Sequence, residues 1–420
     1  MKASPRVVIV GGGFAGLETA FMLRSRMHDD VDLSLVSDRD SFLFKPNTIY
    51  VPFGADPASL LIDLEHPLKK RHVSFFETSV RELDPDHRTI GFEDGSVLRY
   101  DALVLATGAA MRPEEVPGLD EHSQTIWSSE RMAELGTRLN QLKERTRLRS
   151  SENVLFLVPP NNKCSGPLYE IVFMLETWAR REGIRDRLDI AYSTYEGTFI
   201  QAFGPRLHEV VTEQFGERGI HGHTDEVVTE VLGDAVRYSD GRVRDFDLLI
   251  SFPPYVAAVP YPGLPSDDRG FLKTQFESRQ VIGFEDIYAP GDGGDFPVKQ
   301  AFLAFLQADA VAEHISMQFG DSKFRHPFDP VSMCVMEMFD TAIFAQVPLR
   351  LTGEPDRPVE VRPDAGDDYK VGVSPLWRLG KKLLGMYLPM RFNAGEPFHA
   401  GAGWQLMDVG LKGMSGVLAD

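Results

Sequence analysis

A glycine-spaced turn and two cysteines are the residues of this chain whose types and spacing could do chemistry. Gly11-Gly12-Gly13-Phe14-Ala15-Gly16 has the spacing Gly-x-Gly-x-x-Gly. Gly11 permits a tight bend, Gly13 lets the backbone approach a pyrophosphate, and Gly16 lets a helix pack closely on a strand. The N–H groups at the helix start, around Phe14, Ala15 and Gly16, would face the anion. A ribose-binding residue is expected at the end of the next strand, where Ser37 and Asp38 stand. Asp38 comes slightly late in register, so Ser37 is a second candidate. The two thiols are Cys164 and Cys334. Thiols so far apart in sequence are either core residues or a redox pair. Cys164 lies in a Pro/Asn/Gly loop. Cys334, flanked by Met333, Val335 and Met336, would also suit a small buried core position.

The elements that must position these residues follow from periodicity. Residues 6–10 are a β-branched run, 17–27 are helical in pattern, and 31–36 alternate as a strand. This is a βαβ unit with both strands in one parallel sheet. Strand and turn signals run through 73–106 and end in Ala102-Leu103-Val104-Leu105-Ala106. A linker with Pro113 and Pro117 leads to a polar helix over 129–147. A second α/β unit starts at 154–158, with a helix from about 168 to 181 and a strand near 188–193. Residues 226–251 predict a β-meander turning at Ser239-Asp240-Gly241. A strand end falls at 287–291 and an amphipathic helix at 298–318. The predicted fold class is α/β: two Rossmann-like dinucleotide-binding domains plus a C-terminal membrane-associating region. The expected division is 1–110 with 285–320, then 111–284 carrying the cysteine loop, then 321–420.

Composition narrows the function. The 420 residues carry a net charge of −18, so a nucleic-acid partner is excluded. Two cysteines cannot make a disulfide framework, and no histidine flanks them to complete a zinc or iron–sulfur site. The eleven histidines form no metal-ligand pattern, and His221 and His223 are expected at the surface. Near the C-terminus, 353–368 is acidic and broken by Gly353, Pro355, Pro358, Pro363 and Gly366. Tyr369 to Asn393 then carries five cationic residues and no Asp or Glu. Leu376, Leu379, Leu383, Leu384 and Tyr387 recur at helical spacing, with Arg378, Lys381 and Lys382 on other positions. Such a helix suits the plane of a membrane interface, with Trp377 and Tyr387 at headgroup depth and Trp404 to Met414 as a companion. The alternative is an ordinary amphipathic helix on the protein body. No apolar run reaches the roughly 18 residues of a span, and no secretory signal pattern precedes the first strand. The expected location is the cytoplasmic side, peripheral to the plasma membrane.

Two further fragments carry a family resemblance. Tyr100 to Gly108, ending in Ala106-Thr107-Gly108, resembles the Ala-Thr-Gly signature of two-dinucleotide-fold flavoproteins. Ile287 to Gly293 resembles their second FAD signature, in which Asp292, after Gly291, would contact the ribityl chain. The cofactor implied is FAD. Where relatives carry a second glycine triad for a nicotinamide, this chain has Pro159-Pro160-Asn161-Asn162-Lys163-Cys164-Ser165-Gly166-Pro167, and prolines lack the donors a pyrophosphate needs. The stretch Lys163 to Glu170 resembles the Cys-x-Gly-Pro-x-Tyr-Glu loop of sulfide:quinone oxidoreductases. Cys334 resembles that family's second redox cysteine, and Ser41 to Asn47 its Phe-x-Phe-x-Pro segment. Many members of the family also carry a third cysteine, which this chain lacks near Ile126-Trp127-Ser128, and often a histidine where Gln201 stands.

The resemblance implies FAD-dependent oxidation of sulfide to zero-valent sulfur or polysulfide, with electrons passed to a membrane quinone through Cys164 and Cys334. In that chemistry hydrosulfide attacks a disulfide near the flavin. Lys163 and the helix start near Leu168 would favour a Cys164 thiolate. Glu170 or Glu337 would move protons. By the same resemblance Lys299 would lie near the flavin and stabilise its anionic reduced form; a solvated lysine is the alternative. A type II NADH:quinone dehydrogenase and a non-quinone sulfur-transfer flavoprotein are the competing readings. The sequence leaves a homo-oligomer open.

Overall fold

The computed structural model describes residues 4–148, 151–320 and 325–419. The β-branched first strand, Arg6–Val10, lies inside a five-stranded parallel sheet. Its neighbours are Asp32–Ser37 on one side and Ala102–Leu105 on the other, with Val73–Glu77 and Ile287–Tyr288 at the edges. The helix that follows the glycine turn spans Phe14–Met27, three residues earlier than the pattern suggested. It packs on the Ala301–Phe319 helix. That second helix buries residues all round rather than one amphipathic face, because it is covered by both the sheet and later chain.

A second five-stranded parallel sheet has the order Gln124–Thr125, Leu248–Ser251, Glu152–Val158, Leu188–Thr194, Ile220–His223. The predicted meander is three-stranded, from Val228 to Asp245, with its turn at Ser239-Asp240-Gly241. Leu248–Ser251 is not part of it and joins the parallel sheet instead. His221 is exposed, whereas His223 is half-buried and buries its Nε2, contrary to the surface expectation.

The C-terminal hundred residues hold a sheet that the sequence pattern hid. Val331–Glu337, Ala342–Glu354 and Arg357–Val361 run antiparallel, and Lys370–Val373 pairs with the middle strand. The glycine and prolines at 353–358 mark a hairpin turn rather than a linker: Gly353 is left-handed at φ 81°. A helix, Pro375–Asn393, crosses this sheet, capped by the Ser374 side chain accepting from Leu376 N.

Three expectations for that helix are corrected. Trp377 is wholly buried, stacked 4.1 Å from Phe344, because the Ala342–Glu354 strand offers an apolar shelf beneath it. Arg378 and Lys381 are not free cations: Arg378 Nε donates to Glu337 Oε1 at 2.7 Å, and Lys381 pairs with Glu170. Leu384 packs on the first core. The face left open is Leu376, Leu379, Leu383, Met386 and Met390, each between 49% and 63% exposed, at spacings of three and four. Pro389 lies inside the helix and cannot donate to the Gly385 carbonyl; Asn47 Nδ2 donates to it instead, at 3.4 Å. Among the described residues no helix is long and apolar enough to cross a membrane.

The burial of Trp377 has a measurable consequence. Trp377→Ala is expected to destabilise the chain by about 3–5 kcal/mol, read as a lowered thermal midpoint in detergent-free buffer. An unchanged midpoint would return Trp377 to the lipid-facing side.

Candidate functional site

One cavity of about 1790 Å³ runs between the two parallel sheets and the C-terminal sheet. Its first wall is the glycine turn. Gly11 has φ 111°, and a Cβ there would stand 2.3 Å from the Ala106 carbonyl oxygen. Gly16 faces away from the cavity, and a Cβ on it would strike Gly11 O at 1.9 Å. Helix and strand therefore meet at a distance only glycine allows. Gly13, Phe14 and Ala15 line the cavity, and no side chain caps the helix start. Its N–H groups are left for an anion. Ser37 and Asp38 lie on the rim, Ser37 buried and Asp38 largely exposed.

The opposite wall brings Ala106, Thr107 and Gly108 to face Gly291 and Asp292. Burial raises the Asp292 carboxyl, while Lys299 and Lys45 oppose that rise. Lys299 is buried rather than solvated: its Nζ donates to Gly294 O and sits 3.8 Å over the Phe271 ring. Burial lowers its ammonium to about 7. The cradle closed to side chains, the uncapped helix start and the recessed acid fit a flavin dinucleotide, held by Gly11, Gly13, Phe14, Ala15 and the Ala106–Gly108 and Gly291–Asp292 turns.

Cys164 and Cys334 both line this cavity as free, half-buried thiols rather than sealed core residues. Asn162 fixes the Cys164 loop: its side chain donates to Phe252 O and Pro253 O at 3.0 and 3.2 Å and accepts from Cys164 N at 2.9 Å. Lys299 N donates to Lys163 O at 3.1 Å, tying the loop to the buried lysine. Cys334 sits on a strand, paired with Ala345. The expected thiolate is corrected. Burial, then the charge on Asp292, pushes the Cys164 thiol up to about 12. Lys163 does not offset this; its own electrostatic neighbours are Arg269, Asp267 and Asp268. Burial, then the charge on Cys164, pushes the Cys334 thiol up to about 12 as well.

The two proton-moving candidates separate. Glu170 lines the cavity, where Lys381 is its partner and Glu337 N donates to it at 2.8 Å. Glu337 is wholly buried and committed: it accepts from Tyr50, Arg378 and the N–H groups of Met338 and Phe339. It ties strand to helix and does not reach the cavity.

Two cavity groups escaped the sequence reading. Lys381 is lowered to about 7 by burial, and only the tertiary fold reveals that its position is interior. Glu196 lines the cavity near Cys164, accepting from Gln201 N at 3.0 Å and Thr194 Oγ1 at 3.1 Å. Burial pushes it up to about 7. A signal for Glu196 existed: it follows the second strand of the second α/β unit, the position that pointed to Asp38 in the first.

Comparison with known proteins places these features in company. Residues 5–149 match the family model described as pyridine nucleotide-disulphide oxidoreductase. A sulfide-quinone reductase of Aquifex aeolicus is 29% identical over 239 residues, 56% of this chain and 54% of that protein, so the match spans about half of that relative's length. The demethylphylloquinone reductase NdbB of Synechocystis is 26% identical over 377 residues, covering 84% of this chain and 89% of that one. The crystal structure of the Aquifex aeolicus sulfide:quinone oxidoreductase superposes with a TM-score of 0.83 at 20% identity, covering 97% of this chain and 96% of that one, which shows the shared fold.

Glu196 gives the site a pH signature. Its ordinary value of 4.5 rises to about 7 in the fold. The folded chain keeps a proton that the unfolded chain releases, so stability falls as pH rises from about 4.5 to about 7. Glu196→Gln should flatten this slope in denaturant titrations and gain up to about 3 kcal/mol relative to the parent above pH 7. A parent-like slope in the variant would refute the assignment.

Proposed function

We propose that the chain, whose residues 5–149 match the pyridine nucleotide-disulphide oxidoreductase family model, is an FAD-binding oxidoreductase that oxidises sulfide to zero-valent sulfur or polysulfide and passes the electrons to a membrane quinone. The observation that carries this reading is the convergence of Cys164 and Cys334 on the cavity that the glycine turn and Lys299 also line. The resemblance of Cys164-Ser165-Gly166-Pro167-Leu168-Tyr169-Glu170 to the sulfide-oxidising loop and the names of the relatives support it.

FAD supplies a two-electron acceptor when bound. The residues do the rest. With the cysteines joined as a disulfide, hydrosulfide attacks one sulfur. An S–S bond forms to the incoming sulfur, the Cys164–Cys334 bond breaks, and the displaced sulfur leaves as a thiolate. Re-forming the Cys164–Cys334 bond from the thiolate and the persulfide would release zero-valent sulfur, one proton and two electrons, the electrons passing to the acceptor that FAD would supply. Glu196, poised near neutrality, exchanges protons on the Cys164 side. Lys299, beside Asp292, would favour negative charge on the cofactor. The Glu170–Lys381 pair lies where the Pro375–Asn393 helix borders the cavity, and suits proton delivery to a quinone there. The exposed stripe Leu376, Leu379, Leu383, Met386 and Met390, with Leu406, Val409 and Val417 on the Gly401–Leu418 helix, would lie in the lipid interface. The cytoplasmic face of the plasma membrane is the location this reading implies.

Anaerobic sulfide should bleach the flavin of the purified protein, and a short-chain quinone should restore it. Cys164→Ser and Cys334→Ser should each slow bleaching on the order of 10³-fold or more; full-rate bleaching in both would refute the thiol mechanism. A nicotinamide-driven reading is the alternative, since an external alternative NAD(P)H-ubiquinone oxidoreductase of Solanum tuberosum is 32% identical over 130 residues, 28% of this chain, and bleaching by NADH would establish it. For the membrane surface, Leu379→Gln combined with Leu383→Gln should weaken vesicle co-sedimentation on the order of a hundredfold or more, since each burial is worth about 1.5–3 kcal/mol, while leaving reduction of a water-soluble quinone intact. Unchanged sedimentation would place the contact elsewhere.

A further inference from the structure

Away from the cavity chemistry, three side chains from distant parts of the chain converge where the C-terminal helices meet the first domain. Glu18 comes from the Phe14–Met27 helix, Asp309 from the Ala301–Phe319 helix, and His399 from the turn before the Gly401–Leu418 helix. One ligand atom from each lies within 4.8 Å of the other two. Glu18 is fully buried and His399 is nine-tenths buried. We propose that Glu18, Asp309 and His399 form a binding site for a divalent transition-metal cation that clamps the C-terminal helix pair to the first domain.

Charge and geometry carry the proposal. Two carboxylates face each other here, Glu18 buried and Asp309 partly exposed, and among the described residues their ion-pair partner is His399 alone, with no lysine or arginine. Such a pair requires a cation or a shared proton between its members. The donor set is also incomplete without one. Asp309 Oδ2 and His399 Nδ1 are 2.5 Å apart, yet the buried Asp309 Oδ1 and His399 Nε2 have no partner in the protein. Glu18 is held in place by the N–H groups of Phe398 and His399, donating at 2.6 and 3.1 Å. The imidazole is held by rings: Phe398 at 4.5 Å, Trp404 at 4.7 Å and Phe302 at 5.4 Å. Ligands oriented before the ion arrives are a mark of built sites. Two carboxylate oxygens and one imidazole nitrogen suit zinc with a fourth position for water, and suit manganese or iron(II) equally in ligand type. The histidine is invisible to spacing rules because its two partners lie 381 and 90 residues away in sequence.

Zinc is the probe. The flavin-loaded full chain, in a Cys164→Ser/Cys334→Ser background that removes thiol ligands, is stripped with chelator and titrated with Zn²⁺ by calorimetry. One equivalent should bind, and Asp309→Asn and His399→Gln, both near in shape to the parent, should each weaken binding tenfold or more. As a second readout, Zn²⁺ should slow protease cleavage around residues 397–418 in the parent and not in the variants. No uptake by the parent, or equal uptake and protection in parent and variants, would overturn the site. In that event the two carboxylates share a proton instead.

Discussion

Burial of the ionisable groups along one cavity sets the chemistry that these residues can do. Removing water disfavours the charged form of every group, whatever its sign. Thiols and carboxyls therefore move up and ammoniums move down. Glu196 rises to about 7 while Lys299 and Lys381 fall to about 7. An acid and two bases that differ by about six units in water come to differ little in the fold. The cysteines shift the other way from the usual picture of an activated thiol: both rise to about 12. A thiolate released here is a strong base.

The same dryness demands compensation for charges that stay buried. Glu170 with Lys381, and Glu337 with Arg378, tie the Pro375–Asn393 helix to the Cys334 strand. Lys381 Nζ also donates to Val335 O at 2.8 Å, one residue from the thiol. Breaking one partner of such a pair leaves the other uncompensated. The helix thus has two faces: Arg378 and Lys381 point inward to the Cys334 strand, and Leu376, Leu379, Leu383, Met386 and Met390 point outward.

How much of this was legible in sequence depended on the range of the determining contact. The first strand, the glycine turn, Ala106-Thr107-Gly108 and the Cys164 loop are set by local backbone needs, and short motifs recorded them. Trp377 and Lys381 were misplaced because amphipathic spacing names the faces of a helix without saying which one meets the protein. The antiparallel strands at 342–361 were missed because a Gly- and Pro-punctuated hairpin has the composition of a linker; only its pairing with Val331–Glu337 separates the two. Glu337 read as a proton carrier from its nearness to Cys334, but alternation along a strand sends neighbouring side chains to opposite faces.

Pro389 leaves one carbonyl of the C-terminal helix without its usual donor, and Asn47 fills the gap. Asn47 belongs to the segment that also lines the cavity beside Lys45. A proline-weakened point in the outer helix is therefore fastened, by one amide, to the rim of the redox chamber. Flexing of that helix would tug the rim directly, so the place where the backbone is least self-sufficient is also where a movement of the outer helix reaches the interior.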